Sequence, residues 1–411
     1  MLLIALLLPL FQDPSEVPLD VVTDTSGHEH LGVILLDTKD LFVLQEGSKT
    51  KEYARKKIAI MAGPRVAYRS YCDKLEMVYA QHASAKDAVE LAEWCQTNGL
   101  LRDVEIHYWQ ALVKDPQNAA ARTALGHRRN GEEWQAPTDR GAWLTLEDLN
   151  AWHTEQNQPW LFYTAHFQLE ANADLADALR AAAHLELLYG RYYEVLQELA
   201  GFYELLVPLK VRIYANRESG YPEVGPTILG YFDWQTEVIN TWFEQGSAKN
   251  LVRITCHALQ FRGATERARA RPDDYPGWLS EGVATYFDSS FTENDALADF
   301  HFQRLNLDWL RIHQQAKPAL DLDEVLNLPI TGFQDRKKSD LAHAQAYSLL
   351  FFLLHEGNQD SKTGFGKYLH GVFSGKGGSS AFKKSFPSKT YRGLEKEWTD
   401  FVVKSVLRDQ K

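Results

Sequence analysis

Between residues 17 and 62, apolar and polar positions alternate in short runs: DVVTDTSG, LGVILL, LFVLQEGS and KKIAIM, broken at Gly27, Gly32 and Gly47. A period of two with β-branched residues and glycine breaks predicts strands, so 17–62 reads as a small β-module of about four. From 74 to 131 the apolar spacing becomes helical, with a break at Gly99 and Asp115–Pro116 opening a second helix. Residues 128–160 read as a linker holding one short helix, LTLEDLNAW. WLFYTAHFQLEA (160–171) alternates like a strand, 174–199 is patterned as a long amphipathic helix, and LKVRIYANR (209–217) as another strand. Helices follow at 249–262 and 277–290, and after Thr292 the chain reads as helical to its end. The order predicts an α+β protein: a segment at 1–12, a β-module at 17–62, a helical hairpin at 74–131, an α+β domain at 160–292 and a helical part at 293–405.

The opening run MLLIALLLPLF is about half the ~20 residues that span a bilayer. It matches the apolar core of a signal peptide, although no Lys or Arg occurs before Lys39. The expectation is export to the periplasm, cell envelope or exterior. AQAYSLLFFLLHEG (344–357) is apolar but short and closed by His355 and Glu356, so it reads as a buried helix. The net charge of −11 lies spread over 411 residues, and no basic footprint invites nucleic acid. Cys72, Cys95 and Cys256 are too few and scattered for a disulfide framework or a thiolate zinc site, and read as buried thiols.

Several stretches invite chemistry and fail on spacing. His28, Glu29 and His30 on a hairpin project to alternating faces, so they read as solvent-facing turn residues. GKGGSS (375–380) has no strand before it and no Lys-Ser/Thr in P-loop spacing, which excludes a phosphate cradle of that kind. HEGNQ (355–359) ends in glutamine. Cys256 adjoins His257, about 100° away around a helix, and lacks a positioned base.

Four stretches carry a family resemblance: HFQLEA with the helix containing HLELLYGRYYEVL, LKVRIYANR, CHALQFRG and PGWLSEGVATYF. Together they resemble the peptidase-MA-like family of gluzincins, in its secreted bacterial branch of unassigned function. Residues 91–126 are similar to one tetratricopeptide-type hairpin. A lone copy builds no concave groove, so it reads as a spacer. In the resembling family, two histidines at i and i+4 of one helix and a glutamate from a later helix hold zinc, and a glutamate beside the first histidine is the base. Carried over by position, His257 matches the second histidine and Glu281 the ligand glutamate. Arg253 stands in place of the first histidine and Ile254 in place of the base. Guanidinium does not bind zinc, and isoleucine accepts no proton.

The expectation is therefore a non-catalytic, peptidase-like protein of the cell envelope with a binding or structural role, a vestigial metal pair His257 and Glu281, and an unknown protein or peptide partner. Neither nucleic acid nor a membrane span beyond the opening segment is expected. The alternative is a zinc-dependent metallopeptidase with atypical ligands. Without zinc, a carboxylate in a poorly solvated crevice needs a partner. Either Arg253 pairs with Glu281, or Arg253 turns to solvent and Glu281 pairs with His257 or water.

Overall fold

The alternating runs of the N-terminal region form five strands: β1 (Asp20–Asp24), β2 (Glu29–Asp37), β3 (Leu41–Glu46), β4 (Lys49–Ala54) and β5 (Ile58–Ala62). They make an antiparallel sheet in the order β4-β3-β2-β1-β5. The strand that patterning overlooks is β4, KTKEYA. It is an edge strand exposed along nearly its whole length, so no buried face imposes alternation on it. The chain is described by a computed structural model over residues 18–409, apart from 81, 155–157, 218–229, 243–248, 270–274, 293–298, 301–304 and 336. The signal-like segment 1–12 lies outside the described residues.

Asp20 ties the module to the helical region. Its buried carboxyl accepts the backbone N–H groups of Arg65 at 3.0 Å and Ile34 at 3.5 Å, joining β1 to the first turn of the helix Pro64–Tyr79. The helical hairpin then runs Ala85–Thr97 and Val104–Lys114, turning at Gly99, whose φ of 78° suits glycine. Its second helix ends at Asp115–Pro116 rather than opening there, and only the six residues Ala119–Ala124 follow as helix.

The expected linker at 128–160 is more ordered than its composition suggested. β6 (Arg128–Asn130), β7 (Glu133–Pro137) and β8 (Trp143–Leu144) form a small sheet ahead of the helix Leu146–Thr154. Asn130 pairs with Glu133 across the two-residue turn Gly131–Glu132, with Gly131 in first place at φ 64°: a glycine-led hairpin turn that the sequence reading passed over. The single strand expected at 160–171 is likewise a hairpin, β9 (Trp160–Tyr163) and β10 (Phe167–Ala171), turning at 164–166.

With β11 (Leu209–Tyr214), β12 (Gly230–Asp233) and β13 (Val238–Trp242), these strands form a mixed sheet in the order β12-β13-β11-β10-β9. Its three central strands are parallel and its two edges antiparallel. The long helix Leu175–Ala200 starts at Asp174, which caps Ala176 N–H at 2.9 Å, and stops at Gly201 with φ 66°. It packs against β10, the hairpin and two later helices, and so forms the centre of the main core. The C-terminal part is helical, including Ser339–Phe351, Gln359–Phe373 and Ser388–Asp409. The architecture is α+β. No described helix is long and apolar enough to cross a membrane. Cys72, Cys95 and Cys256 are free and buried.

Candidate functional site

Three helices meet at the candidate site: Lys249–Gly263 with Arg253 and His257, Gly277–Ser290 with Glu281, and Ser339–Phe351 with His343. On the first, positions 251, 252, 254–256 and 258–260 are buried while Arg253 and His257 are only half-buried, so the turn they share faces the crevice. The second and third helices approach closely at Gly282, where a β-carbon would lie 3.0 Å from the Ala346 carbonyl oxygen. That approach sets His343 beside Glu281.

The Arg253 guanidinium donates to Glu281 Oε2, and the same nitrogen lies 2.6 Å from His343 Nε2. Its other terminal nitrogen donates to Thr285 Oγ1 at 3.2 Å. An arginine N–H can only donate, so His343 Nε2 must accept. The proton of that ring is then on Nδ1, which donates to the Ser339 carbonyl at 2.8 Å. His257 Nε2 is 3.7 Å from Glu281 Oε1, and its Nδ1 is 3.0 Å from Ser280 Oγ. Of the two arrangements left open by the sequence, the direct Arg253–Glu281 pair is the one present.

Burial alone would raise the Glu281 carboxyl. The positive charges of His257 and Arg253 outweigh it and bring the carboxyl down to about 2. The His257 imidazole is lowered as well, chiefly by burial; Glu281 opposes this and Arg253 adds to it.

Ile254, at the position of the base, is 7% exposed and points at the edge strand. A β-carbon on Gly230 would overlap Ile254 Cδ1 and come within 2.7 Å of the Asn240 carbonyl oxygen. The position thus holds an apolar side chain packed on the edge strand, with no proton acceptor. Cys256 is fully buried, and burial pushes its thiol well above the ordinary range, which leaves no nucleophile there.

The fit of a zinc ion can be judged from these donors. A zinc site of the resembling kind needs carboxylate and imidazole lone pairs converging on one point. Here Glu281 Oε2 and His343 Nε2 already converge on one guanidinium nitrogen. Among the described residues, no three His, Cys, Asp or Glu side chains are grouped to hold a metal ion. The side chains as arranged do not fit zinc.

Sequence reasoning missed His343. It lies in AHAQAYSLL, an apolar helix in which a single histidine resembles core filling, and only packing shows what it faces. The H-E-H run near the N-terminus is corrected in one member. His28 and Glu29 are exposed, but His30 is half-buried, 3.0 Å from Glu46 Oε1 and with its ring 5.5 Å from that of Tyr53.

A family model described as a protein of unknown function (DUF1570) matches residues 261–367. The match includes Glu281 and His343 and begins after Arg253 and His257. Neither a search of curated proteins nor one of solved structures returns a match.

Proposed function

We propose that this is a non-catalytic, peptidase-like protein of the cell envelope, in which a gluzincin-type site has become a structural ion pair and the role left is binding or scaffolding. The observation that carries this reading is the Arg253 guanidinium shared between Glu281 and His343. A permanent cation there supplies the charge that the carboxylate needs and takes up the lone pairs a metal would use. Ile254 leaves no proton acceptor where the resembling enzymes hold their base. The cell-envelope assignment rests on the apolar segment MLLIALLLPLF.

A second reading, a zinc peptidase with atypical ligands, draws on one observation: His343 adds an imidazole beside Glu281, at 3.4 Å, that the motif did not foresee. Elemental analysis after dialysis against a mild chelator separates the two. The expected result is well under one zinc per chain and no chelator-sensitive cleavage of casein or a peptide library. Near-stoichiometric zinc with cleavage that chelator abolishes refutes the non-catalytic reading.

A further inference from the structure

One face of the β-module sheet is closed: Val22, Ile34, Phe42, Leu44 and Ile58 pack together there. The opposite face is closed only in part. Leu41 and Leu206, the latter from the chain after the long helix, cover Val33, Leu36 and Val43. Beyond them the same face continues uncovered. Val21 stands opposite Leu31 on one side and Ala62 on the other, and Thr23 stands opposite Ile60. Side chains two apart along a strand share a face, so Leu19, Val21, Leu31, Ile60 and Ala62 form one strip. Its four large members are 40–63% exposed. A contiguous apolar surface of this kind marks an interaction site.

The chain places a second apolar element at the start of this strip. MLLIALLLPLF ends at Phe11, and residues 12–18 join it to Leu19. Seven residues reach at most about 25 Å, so the run stays close to the strip. Pro18, Leu206 and the exposed Leu101 meet around one small cavity at that end, which widens the apolar surface. The run is too short to span a bilayer, but an apolar face lying in the membrane interface needs no span. Two apolar elements on one short tether favour an extended apolar partner that takes both, because the first contact raises the effective concentration of the second.

A strand from a second copy is a poorer match. It would have to pair along β5, the edge of the sheet, where the register jumps from Ile60 to Ile58 and skips Ala59. Such a bulge disrupts the edge ladder and hinders strand addition. Charge does not select the partner either. Exposed Lys56 and Lys57 precede β5, and exposed Glu29 stands opposite Thr23 at the far end of the strip. With both signs on the rim, apolar burial has to carry the contact.

We infer that the uncovered face of the β-module lies against a membrane surface, with Leu19, Val21, Leu31 and Ile60 at the boundary between headgroups and acyl chains. The inference rests on the cell-envelope reading above. Sedimentation of the full chain with vesicles of phosphatidylcholine, alone or with about one-third phosphatidylglycerol, tests it. Saturable binding to both, of similar strength, is expected. Leu31→Asp with Ile60→Asp is expected to weaken it at least about tenfold, whereas Leu407→Asp, equally exposed but on the C-terminal helix, leaves it unchanged. Circular dichroism matching the parent chain establishes that each variant is folded. The inference is overturned if the parent chain does not bind, if the folded double variant binds like the parent, or if Leu407→Asp weakens binding as much. It is also overturned if the strip variants instead abolish a dimer seen by sedimentation equilibrium. Fractionation of expressing cells tests the cell-envelope reading separately: a chain retained in the cytoplasm defeats that reading, and binding that ignores the strip defeats only this one.

Discussion

A guanidinium is not deprotonated in proteins, and Glu281 is held ionised far below neutrality by what surrounds it. Removing one partner leaves the other charged in a crevice where Glu281 is 12% and Arg253 28% exposed. Arg253→Ala is therefore expected to destabilise the fold by roughly 3 kcal/mol, the lower end for breaking a buried pair, because water still reaches the arginine. Arg253→Ala with Glu281→Gln should lose less than the sum of the two single changes, because the double variant strands no charge. Denaturant titration of the four chains measures the difference. Strict additivity would mean that the pair contributes no coupling. His343 adds a neutral acceptor to the same nitrogen, so its imidazole holds the guanidinium in place without competing for charge.

The elements around the site pack too closely for ordinary side chains at two points, Gly282 and Gly230. Gly230 on the edge strand leaves no room for a β-carbon between Ile254 and the Asn240 carbonyl. Gly230→Ala should destabilise on two counts, the φ of 156° that suits glycine and the overlap with Ile254 Cδ1 and the Asn240 carbonyl, and Ile254→Ala in the same chain should recover only the part owed to Ile254. Thermal unfolding of the two single variants and the double variant checks this, and no recovery would show that Ile254 is not the obstacle. At the joint between the β-module and the helices, burial raises Asp20 from 3.8 to about 6 against the hydrogen bonds from Arg65 and Ile34 and the Arg65 charge. A raised carboxyl favours the folded state most below its unfolded value, and that contribution is lost as pH climbs to about 6. Over about two pKa units this amounts to roughly 3 kcal/mol. Asp20→Asn should flatten the pH dependence of stability between about 4 and 6, measured as denaturant midpoints against pH. The elements themselves differed in how visible they were in the sequence. The helix Gly277–Ser290 spans the residues its apolar spacing predicts. By contrast, β4 has no buried face to impose a pattern, and the β6–β7 hairpin is marked by little more than Gly131 at the head of its turn.

For the whole molecule, the α+β class is legible in the sequence alone, because helical and strand periodicities record which face of each element is withdrawn from water. Equally legible is that the motif positions hold Arg253 and Ile254 rather than a ligand and a base, since residue identity settles what can bind metal or accept a proton. Where the Arg253 side chain points is not. A partly exposed arginine satisfies local helical patterning whether it turns outward or inward. That choice rests on contacts between helices up to 90 residues apart along the chain, with Gly282 letting the His343 helix approach the Glu281 helix closely. The buried Glu186 carboxylate has its partners for the same reason: the Tyr68 hydroxyl and His166 Nδ1 reach it only when the long helix packs against β10 and the helix Pro64–Tyr79. Periodicity encodes burial one element at a time, whereas a site joins side chains from several, and only their packing decides which polar atoms face one another.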